Sequence, residues 1–401
     1  MKKAKLIKSI GVLFVFFATP SLSAQCDGRY QEELFEEVSV TTVKYSSVHN
    51  LKVDIYQALG DTTTNRPLLI LAHGGVFVAG ERTNPTMVTL GNTFAKRGYV
   101  VASISYRLMS VIDLISSQSA TNGVVRALSD GRAAVRYFRK TVAEEGNPYA
   151  IDENQIYFGG NSAGGVIAAH AAFLQEDEII EPDLIEAFNA VGGIEGDSGN
   201  DGYSSEVKGA VSLAGALAEV NFITLEENDK LLISCHGEDD FTVPYSCGQP
   251  LLSVSFISVL PELCGGGAMS EHTEAIGFTN HHYLNFENQG HVPWDIYPSI
   301  EAEMIAFVST NLYNSLDCES LHTTLDETTK LKAFPNPTSG SIRFSIENQK
   351  NKVILYNTNG TEVMRQENTN EINVEHLPKG FYTVQLIDNK QKSTFTKVVK
   401  L

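Results

Sequence analysis

The chain has 401 residues, enough for two or three domains and for a large buried core. Apolar residues make up 42% and charged residues 19%, a globular balance and not a disordered one. Its 48 acidic against 30 basic side chains leave a net charge of −18, which argues against a nucleic-acid partner, because phosphate binding needs clustered cations.

Lys2, Lys3, Lys5 and Lys8 precede an apolar run from Ile10 to Ala18, and small residues follow, ending Leu22-Ser23-Ala24 before Gln25. A cationic start, a short apolar centre and a small-residue end predict a secretory signal peptide over residues 1–24. The run is short for a bilayer, and no later stretch is longer, so no transmembrane span is expected. Export permits disulfides among the five cysteines. Cys247 and Cys264 bracket a loop and are the expected pair. Cys26 and Cys318 mark the ends of the main domain and are a second candidate pair. Cys235 sits in the apolar run Leu231-Leu232-Ile233-Ser234-Cys235 and is expected to be a buried thiol. No cysteine or histidine spacing suggests a metal.

Val38 to Ala58 alternates in polarity and predicts an edge hairpin. Apolar strands are then expected near 66–72, 99–105, 155–160, 207–214, 230–236 and 283–287. Helices are expected over 87–98, 122–140, 163–174 and 298–316. Continuous apolar strands alternating with helices predict a mostly parallel, doubly wound α/β sheet covered on both faces. Residues 175–206 and 244–280 read as long loops. The first carries Asp197, Asn200 and Asp201, whose spacing lacks a complete calcium-loop pattern and reads as solvated. Arg107, Asp130 and Arg136 are structural ion-pair candidates. The main domain is expected over 25–318, a polar linker over 319–332 and a small all-β, sandwich-like domain over 333–401. Its predicted strands are 341–346, 352–356, 380–387 and 393–401, with Asn359-Gly360 as a hairpin turn and Phe381 and Tyr382 in its core. This last segment carries nine basic and six acidic side chains, so the acidity belongs to the main domain.

The chemistry is carried by Gly160-Asn161-Ser162-Ala163-Gly164, which follows a buried strand and opens a helix. A serine on such a strand–turn–helix corner is lifted above the sheet as a nucleophile, and Gly160 and Gly164 leave room for the turn. The helix beginning there turns its amide groups toward developing negative charge. His73-Gly74-Gly75-Val76-Phe77 ends an earlier strand, and its glycines allow backbone N–H groups to approach an oxyanion. The expected donors are the N–H of Ala163 together with Gly74 and Gly75, with Val76 as a further possibility where a third glycine would stand. His73 reads as a brace for the loop and not as a base. His236-Gly237-Glu238-Asp239-Asp240-Phe241-Thr242-Val243-Pro244 follows a strand and offers the acid, with Asp240 first and Asp239 as its rival. Gly290-His291 follows the last strand and offers the base. His281 and His282 fall at the wrong end of that strand.

Together these motifs resemble the α/β-hydrolase superfamily over residues 38–316, in its carboxylesterase and feruloyl-esterase branch. The His73-Gly74-Gly75 loop, Ser105-Tyr106-Arg107-Leu108 and the segment Ser129 to Arg136 add to the likeness. The resemblance implies a carboxylic-ester hydrolase working through Ser162, His291 and Asp240, in the family's chain order Ser, Asp, His, with no cofactor. Its partner would be a small or polymeric ester. A serine peptidase of the prolyl-oligopeptidase type and a non-catalytic adhesion module are the alternatives.

The tail opens Phe334-Pro335-Asn336-Pro337, contains Leu377-Pro378-Lys379-Gly380-Phe381-Tyr382 and ends Lys397-Val398-Val399-Lys400-Leu401. It resembles the C-terminal sorting domain of type IX secretion substrates. That implies the type IX machinery as a second partner and a secreted or cell-surface location.

Overall fold

The computed structural model describes residues 28–251, 260–317, 333–344, 352–357, 361–387 and 393–401. The expected signal peptide and linker, Cys26, Cys318 and the Asn359-Gly360 turn lie outside these residues. The chain divides into two units, Met1–Leu321 and His322–Leu401.

The first unit is built on strands β1 (Val38–Ser46), β2 (Leu51–Ala58), β3 (Arg66–Ala72), β4 (Val100–Ile104), β5 (Ile151–Asn161), β6 (Gly209–Leu213), a short β7 (Ala216–Leu217), β8 (Leu231–Gly237), short β9 (Cys247–Gly248) and β10 (Leu263–Gly265), and β11 (His281–Phe286). Helices α1 (Pro85–Lys96), α2 (Ser117–Glu144), α3 (Ala163–Phe173), α4 (Pro182–Ala190), α5 (Gly266–Ile276) and α6 (Pro298–Ser315) connect them. Eight strands form one sheet in the order β1-β2-β4-β3-β5-β6-β8-β11. Pairing is antiparallel at β1–β2 and β2–β4 and parallel from β4 to β11.

Strand β3 shows why the sheet is double-sided. All seven of its residues are buried. Leu68, Ile70 and Ala72 join one apolar core with α2, α3 and α4, whereas Leu69 and Leu71 join a second core with α1 and α6. A period of two thus feeds two layers of helix, and only a continuous apolar run can do so. Helix ends carry local signals: Asn84 accepts the Thr86 N–H before α1, whose first residue is Pro85, and Ser116 accepts the Ser119 N–H before α2.

Two predicted loops hold more structure than expected. Residues 175–206 contain α4, a nine-residue helix that buries Ala187 and Phe188. The segment after α4 is tied to α2: Arg136 donates to the carbonyls of Glu195 and Gly199. Arg107 pairs with Asp130 and with Asp197. Asp197 therefore answers a guanidinium, and Asn200 donates to the Tyr45 carbonyl. Residues 244–280 contain β9, β10 and α5. Cys247 and Cys264 are bridged there, while Cys235 is a buried free thiol. His281 and His282 open β11 instead of preceding it.

The second unit has strands β12 (Ala333–Phe334), β13 (Ser341–Phe344), β14 (Lys352–Tyr356), β15 (Glu362–Glu367), β16 (Glu371–Asn373), β17 (Gly380–Ile387) and β18 (Ser393–Lys400). They form two sheets, β12-β13-β16 and β15-β14-β17-β18. Ile342, Phe344, Val353, Leu355, Val384 and Val398 are among its core residues. The expected pairing of Phe381 with Tyr382 in that core is corrected: Tyr382 is buried, but Phe381 is 66% exposed. Neighbouring strand residues point to opposite faces, so only one of the two can face inward.

Candidate active site

Because β3, β5, β8 and β11 run parallel, the loops that leave them gather at one edge of the sheet. Ser162 sits between β5 and α3 with φ 55° and ψ −116°, a left-handed conformation that costs a serine energy. The Ser162 N–H is held by the Leu213 carbonyl at 2.7 Å. A Cβ on Gly160 would lie 2.2 Å from the Gly164 carbonyl carbon, and one on Gly164 would lie 1.9 Å from the Ala72 carbonyl oxygen. The corner therefore closes only with glycine at both positions.

His291 comes from the loop after β11. Its Nε2 lies 2.8 Å from Ser162 Oγ, and its Nδ1 lies 2.6 Å from Asp240 Oδ2. Asp240 is buried in the loop after β8, whereas Glu238 and Asp239 are exposed. Asp240 Oδ1 accepts the N–H groups of Thr242 and Val243 at 2.8 and 3.0 Å. Burial alone would raise its carboxyl pKa, but hydrogen bonds from His236 and His291 outweigh burial and hold it well below the usual carboxylate range. Of the two candidate acids, it is Asp240 that reaches His291.

Gly74 packs directly on the serine: a Cβ there would be 3.3 Å from Ser162 Cβ. Gly75 follows with φ 119°, and a Cβ there would strike the Ala79 carbonyl oxygen at 2.1 Å. Val76 and Phe77 also hold positive φ, at 55° and 60°. The Ala163 N–H lies in the first turn of α3, where no intrahelical acceptor exists. His73 braces this loop. Its Nδ1–H donates to the Gly74 carbonyl at 2.7 Å, and its ring stacks on Tyr106 at 4.3 Å. Burial lowers its pKa, so it stays neutral.

A cavity of about 130 Å³ opens at Ser162. Its walls include Phe77, Leu128, Val166, Phe188, Phe222 and Leu251, and among the described residues no lysine, arginine, aspartate or glutamate lines it. His170, on α3, reaches the cavity fully satisfied, with Nδ1–H on the Val166 carbonyl and Nε2 accepting the Ala218 N–H. His281 lies elsewhere, between Ser234 and Thr273, and does not reach the serine.

Two contacts were not read from the sequence. Trp294 Nε1–H donates to Asn161 Oδ1 at 3.1 Å, tying the loop of His291 to the residue before the serine. Its position three residues after His291 was the available signal. His236 also reaches Asp240, and its place four residues before the aspartate was the clue.

Residues 53–195 match the BD-FAE family model. Residues 332–400 match the secretion system C-terminal sorting domain. The chain is 25% identical over 247 residues to a probable isoprenylcysteine alpha-carbonyl methylesterase of Oryza sativa subsp. japonica, covering 55% of this chain. It spans about half the length of that curated relative, 54%. Among solved structures, the apo form of Thermogutta terrifontis esterase 2 is 20% identical with a TM-score of 0.44, covering 71% of this chain and 96% of that one. The butyrate-bound form of the same esterase is 18% identical with a TM-score of 0.45, covering 70% and 95%. The chain thus carries an α/β-hydrolase esterase domain of the BD-FAE type followed by a secretion-system C-terminal sorting domain.

Proposed function

We propose that the protein is an exported serine carboxylic-ester hydrolase that acts through Ser162, His291 and Asp240 and an acyl-enzyme. The observation that carries this reading is the unbroken hydrogen-bonded line from Ser162 Oγ through His291 to Asp240, ending at an apolar cavity. In the proposed cycle His291 Nε2 takes the Ser162 proton as Oγ attacks the ester carbonyl. The N–H groups of Ala163, Gly74 and Gly75 receive the oxyanion. His291 returns the proton to the leaving alcohol, and water then cleaves the acyl-enzyme by the same route. Asp240 keeps the imidazole in the tautomer that presents Nε2 to the serine. An uncharged cavity suits an apolar acyl group, because a charged one would lose its hydration without a partner. We assign residues 1–24 to a signal peptide, 25–318 to the catalytic domain, 319–332 to a linker and 333–401 to a type IX sorting domain.

The test is Ser162→Ala, read on p-nitrophenyl acyl esters and by fluorophosphonate labelling. Hydrolysis should fall by roughly 10⁴-fold or more, and labelling should vanish. Residual activity above about a hundredth of the wild-type rate would refute the nucleophile. Faster cleavage of aminoacyl-p-nitroanilides than of esters by the wild-type protein would refute the esterase reading.

A further inference from the structure

Asp240 meets two imidazoles. His291 Nδ1 lies 2.6 Å from its Oδ2, and His236 Nε2 lies 3.3 Å from the same oxygen. His236 belongs to β8, four residues before Asp240, and the turn after the strand folds the carboxylate back over the ring. The residue is 1% exposed.

The neighbours of His236 settle where its proton sits. Nδ1 lies 3.1 Å from the backbone N of Gly266, whose N–H can only donate. Nδ1 is therefore the acceptor, and the ring proton is on Nε2. From there it donates to the Val243 carbonyl at 3.1 Å, with Asp240 Oδ2 a second, longer neighbour at 3.3 Å. The ring is thus fixed in one tautomer.

The surrounding backbone is shaped to this ring. A Cβ on Gly265 would lie 2.9 Å from His236 Cε1, and one on Gly266 would lie 2.8 Å from His236 Cβ. Any side chain at these positions would push the main chain off the imidazole, and with it the amide that fixes the tautomer. Tyr245 stands edge-on to the ring at 6.0 Å. Tyr283 of β11 packs against Gly266 from the other side. Among the described residues, the titratable groups near it are Asp240, Tyr245 and Tyr283, with His291 beyond the carboxylate.

We infer that His236 is a positioning residue for the relay: its Nε2–H, set by the Gly266 amide and shared between the Val243 carbonyl and Asp240 Oδ2, holds the carboxylate in one orientation toward His291 and draws off part of its charge. The inference rests on the proposed roles of Asp240 and His291. His236 does not line the substrate cavity, so its effect should fall on turnover and not on binding.

Two variants test this. His236→Phe keeps a flat ring and removes the donor. His236→Gln places an amide N–H near the position of Nε2 and restores it. In the Phe variant kcat should fall roughly ten- to a hundredfold at unchanged KM, as for a displaced catalytic group. The acid limb of its kcat/KM profile should move to higher pH, because the undiluted carboxylate favours protonated His291. The Gln variant should recover most of kcat and the wild-type acid limb. Equal behaviour of the two variants, an unmoved acid limb, or a change in KM alone would overturn the proposal. Loss of folded protein in both would also overturn it, since the ring's task would then be packing. These results are separable from failure of the esterase reading, which would show first as activity surviving Ser162→Ala.

Discussion

The two units use β-structure in opposite ways. In the first, β3 is buried along all seven residues, because helices cover both faces of the sheet. In the second, β17 alternates between buried and less buried positions, as a strand covered on one face does. The difference has a functional side. Parallel strands can be joined only by long crossovers, and those crossovers collect the loops after β3, β5, β8 and β11 at one edge. Four distant stretches of sequence thereby meet around Ser162. The strands of the tail's larger sheet pair antiparallel, through β14–β15, β14–β17 and β17–β18. Hairpin sheets send loops to both ends, and nothing in that arrangement forces distant loops to converge.

The comparison can be sharpened where the loops converge. Asp240→Asn should lower kcat by about 10⁴-fold, since an amide favours the wrong imidazole tautomer. Asp239→Asn, one residue away but exposed, should leave kcat within a small factor of wild type. Ester kinetics on the pair measure both, and a more damaging Asp239→Asn would move the acid out of the loop geometry described above.

A smaller effect distinguishes the units under acid. Burial pushes His170 down to about 4 and His281 down to about 3. A histidine with a depressed native pKa stays neutral when folded and takes up a proton once unfolded. Its contribution is therefore complete above about pH 6.5 and is lost as pH falls from there toward the native value. For His170, 4% exposed, the loss by pH 4 is roughly 3 kcal/mol. The single tryptophan, Trp294, is buried in the first unit and reports on it alone. Urea midpoints followed by its fluorescence should fall between pH 7 and pH 4. A flat midpoint would show that these imidazoles are protonated in the native state.

The smallest effect should come from removing the second unit. Deleting residues 333–401 should leave kcat/KM on soluble esters unchanged while abolishing delivery to the cell surface or medium in a host with type IX secretion. Assay of the purified truncation and fractionation of the host check the two halves. Lost activity would mean that the units depend on each other. Unchanged export would refute the sorting role.

What could be read from the sequence followed from which interactions are local. Ser162 was legible because a strained corner demands glycines at fixed offsets, and His291 because a glycine–histidine pair followed the last strand. The sheet was legible because strands buried on both faces are continuous apolar runs. Helix α4 was missed because nine residues with two buried positions give little periodic signal. Helix α5 was missed because Gly265-Gly266-Gly267 reads as a loop. In the structure those glycines serve close packing instead: a Cβ on Gly267 would lie 2.2 Å from the Tyr245 ring. His236 was visible only as the first letter of a motif, since its partner amide is thirty residues away along the chain. The cavity could not be read at all, because its wall is assembled from α2, α3, α4 and the segment around Leu251.

That segment gives the Cys247–Cys264 bridge a meaning in time as well as in space. Pro250, Leu251, Leu260 and Pro261 all line the cavity, and all lie between the two bridged cysteines. Closing a loop of this length removes about 3 kcal/mol of chain entropy from its open forms. Thiols stay reduced in the cytosol and are oxidised after export. If the chain is exported as proposed, the Ser162 corner forms while this wall of the cavity is still untethered. On the proposed export route, oxidation of this one bridge is the step that secures the cavity wall.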